Sequence, residues 1–274
     1  MEDLVVSLSL LAGIVLLCEA SRRAATRLLA RSDYCAYAVE TISTFQLCAC
    51  THELKLLGDV GHVGPRVGLT LTYLITVVHA LTFHGAVGNP SGALERAYRG
   101  SLTGGRALAR ICCQLAAAAA ARAALPCVWA AAASDLHLRH KAQGFRCASP
   151  VRAALLRAAA VELGCAFTVH AAAARAQALQ EKYRIHAVAA VITLLVYAGG
   201  SVTGAVFNPA LAFSTQFPCS GNTFAEYVVV YWLGPVLGMM GSVVLFDKVL
   251  PSLSGKSTFR KDLNFNAVQK KKMK

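Results

Sequence analysis

Charged and aromatic side chains are scarce in this chain. Only 15% of its 274 residues are charged and 8% are aromatic, whereas soluble domains carry about 25% charged residues. Because 56% of the residues are hydrophobic, the composition excludes an ordinary soluble domain. It predicts a membrane protein that crosses the bilayer several times.

Acidic residues are the scarcest charged class, with 14 Asp and Glu against 27 Lys and Arg and a net charge of +13. Such an excess indicates basic loops on the cytosolic side of a membrane and contact with anionic lipid. We predict no nucleic-acid partner, because the chain has no face that combines basic and aromatic side chains.

Several processing and binding signals are also absent. The start, Met1-Glu2-Asp3, lacks the basic residues of a secretory signal, and no N-x-S/T acceptor has an allowed middle residue. The ten cysteines follow no disulfide framework. The run from Cys48 to His52 has no second pair of ligands nearby, so we predict no metal and no other cofactor.

The chain contains seven apolar segments. A bilayer crossing needs about 20 residues. The first segment is short for a crossing, so an extra span and an interfacial helix both fit it. The stretch after it contains Arg22, Arg23, Arg27 and Arg31 and is expected to face the cytosol. The segments are Val5–Cys18, Ala36–Leu57, Leu69–Phe83, Ala107–Ala133, Val151–Leu179, Ile185–Ala198 and Phe224–Leu250.

Two landmarks occur twice in the same order. Glu40–Phe45 matches Glu162–Phe167 at an offset of 122 residues, and Asn89-Pro90 matches Asn208-Pro209 at an offset of 119. The near-equal offsets indicate an internal repeat. Since each copy has three predicted spans, an odd number, the copies are expected to lie inverted in the membrane.

Each copy contains an Asn-Pro motif after a Gly-containing run. The motifs are Asn89-Pro90-Ser91 and Asn208-Pro209-Ala210. Asn is a good N-cap and Pro fits the first helical turn, so each motif predicts the start of a short helix. Two half-helices that meet at mid-bilayer point the positive ends of their dipoles inward, which predicts a pore that passes neutral molecules and repels cations.

These observations divide the chain into five parts. Six spans place the loop that connects the two repeats (134–150) on the lumenal side. This loop is basic, so its lumenal placement conflicts with the positive-inside rule. The terminal Lys271-Lys272-Met-Lys resembles a dilysine retrieval signal of the endoplasmic reticulum; an ordinary lipid-facing basic tail is the alternative. The parts are an N-terminal apolar segment with its basic stretch (1–33), a first repeat (34–133), the connecting loop (134–150), a second repeat (151–250) and a basic cytosolic tail (251–274).

The paired Asn-Pro motifs, with one intramembrane Glu in each copy, resemble the aquaporin (major intrinsic protein) family over about residues 34–250. Thr203–Ala210 is a specific match, whereas Ser91 stands where the family usually has Ala. This departure and the blocks Thr44–Leu54 and Val196–Phe207 resemble the unorthodox intracellular subfamily, the superaquaporins.

The resemblance implies an all-α membrane protein. It is expected to be a six-span right-handed bundle built from two inverted repeats with two re-entrant half-helices, plus a short N-terminal apolar helix, and to assemble as a homotetramer. Asn89 and Asn208 would donate N–H groups to solute, while Glu40 and Glu162 would accept hydrogen bonds from the loop backbones. Cys219 lies nine residues after Ala210, at the place of a subfamily cysteine linked to assembly; an ordinary thiol at a helix end is the alternative.

The resemblance also places the narrowest point of the pore. The position after the second Asn-Pro-Ala is normally Arg and is Leu211 here, and the loop position falls on Ala205. The other two positions fall on Val196 and on Leu69, or on Tyr73 one turn later. An apolar constriction without Arg predicts slow to moderate water flow and tolerance of larger neutral solutes.

We therefore expect a passive channel for water, glycerol and hydrogen peroxide in the endoplasmic reticulum or another intracellular membrane. The alternative is a non-conducting protein of the same fold with a structural or homeostatic role. We predict that the chain is not an enzyme, because no His pairs with a Cys at a recognisable spacing. The histidines in question are His52, His79, His84 and His170.

Overall fold

The computed structural model describes residues 2–32, 34–61, 63–131 and 133–253. The predictions for Lys271, Lys272 and the rest of the tail beyond residue 253 lie outside the described residues.

Helices make up the fold. Apart from an isolated parallel bridge between Ala148 and Ser220, the described ranges contain no β-structure. The last helix is continuous but includes two π-helical turns, Val229–Leu233 and Leu245–Val249. The helices are α1 Glu2–Leu28, α2 Tyr34–Asp59, α3 Pro65–Thr82, α4 Pro90–Tyr98, α5 Gly104–Ala130, α6 Asp135–Ala142, α7 Leu155–Ala176, α8 Glu181–Thr203, α9 Pro209–Gln216 and α10 Phe224–Leu253.

Five helices of the described part are long and apolar enough to cross a bilayer, namely α1, α5, α7, α8 and α10. Helix α2 is long but less apolar, because it carries Glu40, Gln46 and Glu53. All three side chains are fully buried and hydrogen-bonded to other helices or loops rather than exposed to lipid. Helix α3 has only 18 residues, including Arg66 and His79. The six-span count therefore stays a prediction.

The two halves use the same pairing of long helices. Helix α2 packs along α5, and α7 packs along α10, while α3 and α8 contact each other between the halves. The short helices α4 and α9 touch one another and both pack against α5. Small side chains permit these approaches: Ala117, Ala118 and Ala121 of α5 are almost completely buried.

Helix α1 is an integral part of the bundle. It begins three residues before the apolar run and ends ten residues after it, so the expectation of a short N-terminal helix is wrong: α1 has 27 residues. It packs along α2. The Ser7 hydroxyl donates to Glu53 at 2.6 Å, and the Arg22 guanidinium donates to Gln46 at 2.7 Å. Of the two interpretations left open for the first apolar segment, this geometry favours a span over a helix that lies separately at the interface.

Arg22 differs from the other three arginines of the basic stretch, whose predicted cytosolic side stays a prediction. This side chain is fully buried and paired with Glu19 and Gln46, because α1 turns that face toward α2. Arg23, Arg27 and Arg31 are exposed. A buried guanidinium needs such partners, since a charge in an apolar interior is costly without them.

Gly238 marks the closest approach between α7 and α10. A Cβ atom here would overlap the backbone oxygen of Leu163 and lie 2.9 Å from the backbone nitrogen of Phe167. We expect Gly238→Ala to lower the free energy of unfolding in detergent by about 1–3 kcal/mol, because backbone atoms cannot move aside cheaply. Thermal or denaturant unfolding checks this value.

Gly241→Ala is the matched control. A Cβ at Gly241 meets only the Phe167 ring at 3.5 Å, so the gain in helix propensity, up to about 1 kcal/mol, is expected to dominate. Equal stability of the two variants would contradict the close packing of α7 against α10.

Candidate functional site

Two irregular segments interrupt the bundle, one between α3 and α4 and the other between α8 and α9. Both contain left-handed backbone. In the first, His84 has φ 49° and Gly88 has φ 61°; in the second, Ala205 has φ 46° and Phe207 has φ 37°. Non-glycine residues adopt such angles only where surrounding contacts hold them, so these segments are strongly constrained.

Each segment ends at an Asn-Pro pair that starts a short helix, and the predicted helix starts are confirmed. The Asn89 side-chain oxygen accepts from the Ser91 backbone N–H at 3.0 Å. The Asn208 oxygen accepts from the N–H groups of Ala210 at 3.0 Å and Leu211 at 3.3 Å. Capping thus uses the oxygen of each amide and leaves its nitrogen to point elsewhere.

The two amide nitrogens connect the segments to each other. Asn208 Nδ2 donates to the Gly88 carbonyl at 2.7 Å, and Asn89 Nδ2 donates to the Phe207 carbonyl at 3.4 Å. Each asparagine therefore bonds to the residue before its counterpart. The sequence analysis assigned the N–H groups of both asparagines to solute and did not predict this reciprocal contact. A primary amide has two N–H groups, and the contact uses one of them in each asparagine.

Pro90 and Pro209 are buried at the first positions of α4 and α9, as are the residues that follow them. Ser91 and Ala210 are both fully buried. The Ser91 hydroxyl oxygen has no hydrogen-bond partner within the described residues. The two motifs thus occupy equivalent places at the centre of the molecule, with a hydroxyl on one side only.

Glu40 is fully buried and contacts the first segment. Its Oε1 accepts from the backbone N–H groups of Val87 at 3.0 Å and Gly88 at 2.7 Å, and from the Gln114 amide at 2.8 Å. Its Oε2 accepts from Arg110 at 3.1 Å. The carboxylate therefore joins α2, α5 and the segment, and Arg110 and Gln114 are partners that sequence reasoning did not identify.

Glu162 is the counterpart on α7 and is also fully buried. It accepts from the backbone N–H groups of Val206 at 3.0 Å and Phe207 at 2.5 Å, and from the Thr203 hydroxyl at 2.5 Å. The Thr203 carbonyl in turn accepts from the Tyr231 hydroxyl at 2.6 Å. Both loops thus bond to a carboxylate, but only the first also has a cation among its described partners.

The predicted constriction residues fall on four elements. Leu69 and Tyr73 are one turn apart on α3, and the Tyr73 hydroxyl bonds to His186 of α8 at 2.7 Å. Val196 lies on α8, and buried Ala205 donates its N–H to the Thr203 hydroxyl at 3.2 Å. Leu211 of α9 is half-buried and packs against both hydrophobic clusters of the core. Their role as a constriction stays a prediction.

Cys219 is not a free thiol, because it forms a disulfide with Cys147. The Ser149 N–H donates to the Ser220 carbonyl at 2.7 Å beside it, and the Arg152 N–H donates to the Val202 carbonyl at 2.9 Å. The connecting segment, residues 147–152 at and just after the end of the connecting loop, is thereby attached to the end of α8 and to the residues that follow α9.

The sequence-based statement that the cysteines follow no disulfide framework is wrong for this pair. The available signal was that both residues lie outside the apolar segments, a position that only Cys35 shares among the ten cysteines. The other eight cysteines, Cys35 included, are free, and half of them are buried.

Comparison with known proteins decides the family. The family model described as major intrinsic protein matches residues 52–246. The chain belongs to this family. It is 39% identical over 261 residues to Aquaporin-11 of Homo sapiens, covering 95% of this chain and 96% of the relative. It is 37% identical over 263 residues to Aquaporin-12 of Mus musculus, covering 94% and 91%, and 23% identical to Aquaporin-11 of Milnesium tardigradum over 257 residues, covering 93% and 92%.

These findings confirm the resemblance drawn from the motifs. Members of the major intrinsic protein family are membrane channels and not enzymes, so the prediction that the chain is not an enzyme is confirmed as well. Family membership implies the aquaporin fold for this all-helical chain.

We expect Glu162→Gln to lower the free energy of unfolding by about 1–3 kcal/mol. The amide keeps one acceptor oxygen but turns an NH2 group toward one of the backbone N–H donors of Val206 or Phe207. Unfolding in detergent measures the change. Glu2→Gln, at an exposed helix start, is the control and should stay within about 0.5 kcal/mol of wild type; a similar loss in both would argue against the loop contacts.

We also expect non-reducing proteolysis and mass spectrometry to recover one peptide that joins Cys147 to Cys219. Alkylation of Cys219 before any reductant is added would contradict the bond.

Proposed function

We propose that this channel-family protein passes water and small neutral solutes, with glycerol and hydrogen peroxide among them, across the membrane of the endoplasmic reticulum. The observation that carries the proposal is the meeting of Asn89 and Asn208, each of which caps a short helix and aims its amide nitrogen at the other loop. These bonds use one N–H group of each amide and fix its orientation, and the second N–H group is the donor proposed for solute. Water and polyols need such fixed N–H donors along an otherwise apolar path.

Helix polarity supports passage of neutral rather than positively charged solutes. Helices α4 and α9 begin at the same place, with their capping residues in contact. The N-terminus of a helix carries roughly half a positive charge. Two such ends in one apolar environment repel cations and favour neutral molecules that accept hydrogen bonds.

The residues proposed for the constriction favour a wider range of neutral solutes over fast water flow. Leu211 occupies the place where the resemblance leads one to expect Arg, and with Val196 and Ala205 it offers no side-chain donor. Water then crosses with fewer hydrogen bonds at the narrowest point, while a solute with an apolar edge is not rejected. Slow to moderate water flow with measurable glycerol and peroxide flow follows from this composition.

The disulfide supports an oxidising compartment for one face of the protein. Bonds of this kind persist in the lumen of the endoplasmic reticulum and are rare in the cytosol. Lumenal placement of Cys147 and Cys219 agrees with the six-span topology, in which the tail with Lys271 and Lys272 is cytosolic and acts as a retrieval signal.

The connecting loop is basic, which conflicts with a lumenal position. The contacts of its basic side chains reduce this conflict. His137 is fully buried and hydrogen-bonds to Glu53 at 3.2 Å, and Arg139 pairs with Asp3 at 3.3 Å. Burial lowers the pKa of His140, which favours its neutral form. Of the loop residues Arg139, Lys141 and Arg146, Arg139 is therefore paired with an acidic side chain, and Lys141 donates to the Ala130 carbonyl at 3.0 Å.

Transport in proteoliposomes tests the proposal. Osmotic shrinkage, glycerol uptake and peroxide entry are measured for wild type and for Asn208→Asp. We expect all three rates to exceed those of empty vesicles in wild type and to return close to them in the variant, because a carboxylate has no N–H donor and adds an anion beside the Gly88 carbonyl.

Asn222→Asp makes the same chemical change in the segment between α9 and α10 and should keep wild-type rates. Wild-type rates equal to those of bare lipid, from protein that remains folded, would contradict the proposal and favour a non-conducting role. The proposed homotetramer is checked in parallel by the mass of the purified protein in detergent.

A further inference from the structure

A cavity of about 230 Å³ opens between α3, α7 and α8. Ala80 near the end of α3, Ala173 of α7 and Val188 of α8 form apolar parts of its wall. Gln177, at the end of α7, and Glu181 and Arg184, in the first turns of α8, supply the polar part. The cavity therefore has one apolar side and one side rich in hydrogen-bonding groups.

The position of the cavity relates it to the two Asn-Pro loops. Helix α3 ends two residues after Ala80 and runs directly into the first loop, while α8 runs from the cavity toward the second. Val188 precedes Val196 by eight residues, or about 12 Å of helix, and Ala173 follows Glu162 by eleven residues, or about 17 Å. The cavity thus lies at one end of the three helices that carry or hold the loops.

The polar side is organised by a contact between two helices. Arg184 Nη1 donates to the Gln177 side-chain oxygen at 3.2 Å across the turn between α7 and α8. A guanidinium carries five N–H donors in a fixed plane, so this bond leaves donors for a solute. The Glu181 carboxylate adds an acceptor of opposite charge, which keeps the wall close to neutral overall.

This wall contrasts with the proposed constriction. Leu211, Val196 and Ala205 provide no side-chain donors, and the hydroxyl of Tyr73 is already bonded to His186. Arg184 and Gln177 provide several donors next to an apolar surface. A small polyol has hydroxyl groups along one edge and C–H groups along the other, and therefore matches both sides of the cavity at once. Water matches only the polar side.

We infer that this cavity is a solute-selecting mouth of the channel, in which Arg184 and Gln177 bind the hydroxyl edge of small polyols before they reach Asn89. The inference rests on the proposed function, and it assigns preference among neutral solutes to the mouth rather than to the constriction. Arg184 is then a specificity-determining residue, because its guanidinium contacts the solute directly.

The test compares glycerol uptake with osmotic water flow in proteoliposomes of wild type, Arg184→Leu and Lys182→Leu. Lys182 is the matched control, since it loses the same charge on the same turn of α8 but its ammonium lies over the Tyr183 ring at 4.8 Å and outside the cavity wall. We expect Arg184→Leu to lower glycerol uptake by at least about fivefold, as loss of a charge-assisted hydrogen bond permits, with water flow reduced by less than about twofold.

A second variant guards against misfolding of the first. Ala173→Cys is reconstituted and then treated with a small thiol-reactive sulfonate, which should block glycerol uptake only after labelling. Wild type receives the same reagent, because Cys112 and Cys127 are exposed free thiols away from the cavity, and it should be unaffected.

The outcomes separate the inference from the function beneath it. If wild type conducts glycerol and water, and neither Arg184→Leu nor labelled Ala173→Cys changes these rates, the inference that the cavity selects solutes is overturned. The proposed channel function is then unaffected. Equal losses in Arg184→Leu and Lys182→Leu would also overturn it, since a general charge effect then explains them. Absence of any wild-type flow above bare lipid would overturn both.

Discussion

Backbone N–H groups that lie at membrane depth must find partners inside the protein, because the bilayer core supplies no water. Two irregular segments in this chain meet that requirement through buried carboxylates. Glu40 bonds to the backbone of the first segment and Glu162 to that of the second. With these bonds in place, the segments hold left-handed backbone angles that isolated peptides avoid. The positions of Asn89 and Asn208, and the contact between them, depend on this support.

The two halves share this plan but differ in what surrounds it. Glu40, which accepts from the first segment, is paired with the cation of Arg110 on α5. The segment itself contacts α1 through His84 and Glu19 at 3.2 Å. The second segment is held by the Thr203 hydroxyl and by the connecting segment, which is bonded on both sides and closed by the disulfide at Cys219. The two halves therefore hold equivalent motifs while each has its own attachments.

Buried polar groups also explain why α1 belongs to the bundle. A fully buried guanidinium at Arg22 and a fully buried carboxylate at Glu53 lie near opposite ends of its contact with α2. Each has partners from more than one helix, and Glu53 also accepts from the Trp129 ring N–H at 2.7 Å. Removing one member of such a cluster leaves the others unpaired in an apolar interior. These clusters fix how α1 sits along α2 more specifically than apolar contact alone.

The sequence by itself determined the local features of the protein. Scarce charge and long apolar runs predicted a membrane protein, and Asn-Pro pairs predicted the starts of α4 and α9, because capping and the geometry of proline act within a few residues. Tertiary structure alone decided which groups meet across long separations. The burial of Arg22, the bond from Asn208 to the Gly88 carbonyl and the pairing of Cys147 with Cys219 join residues 24, 120 and 72 positions apart. No local pattern specifies such contacts, since they arise only when packed helices bring distant side chains within about 3 Å of their partners.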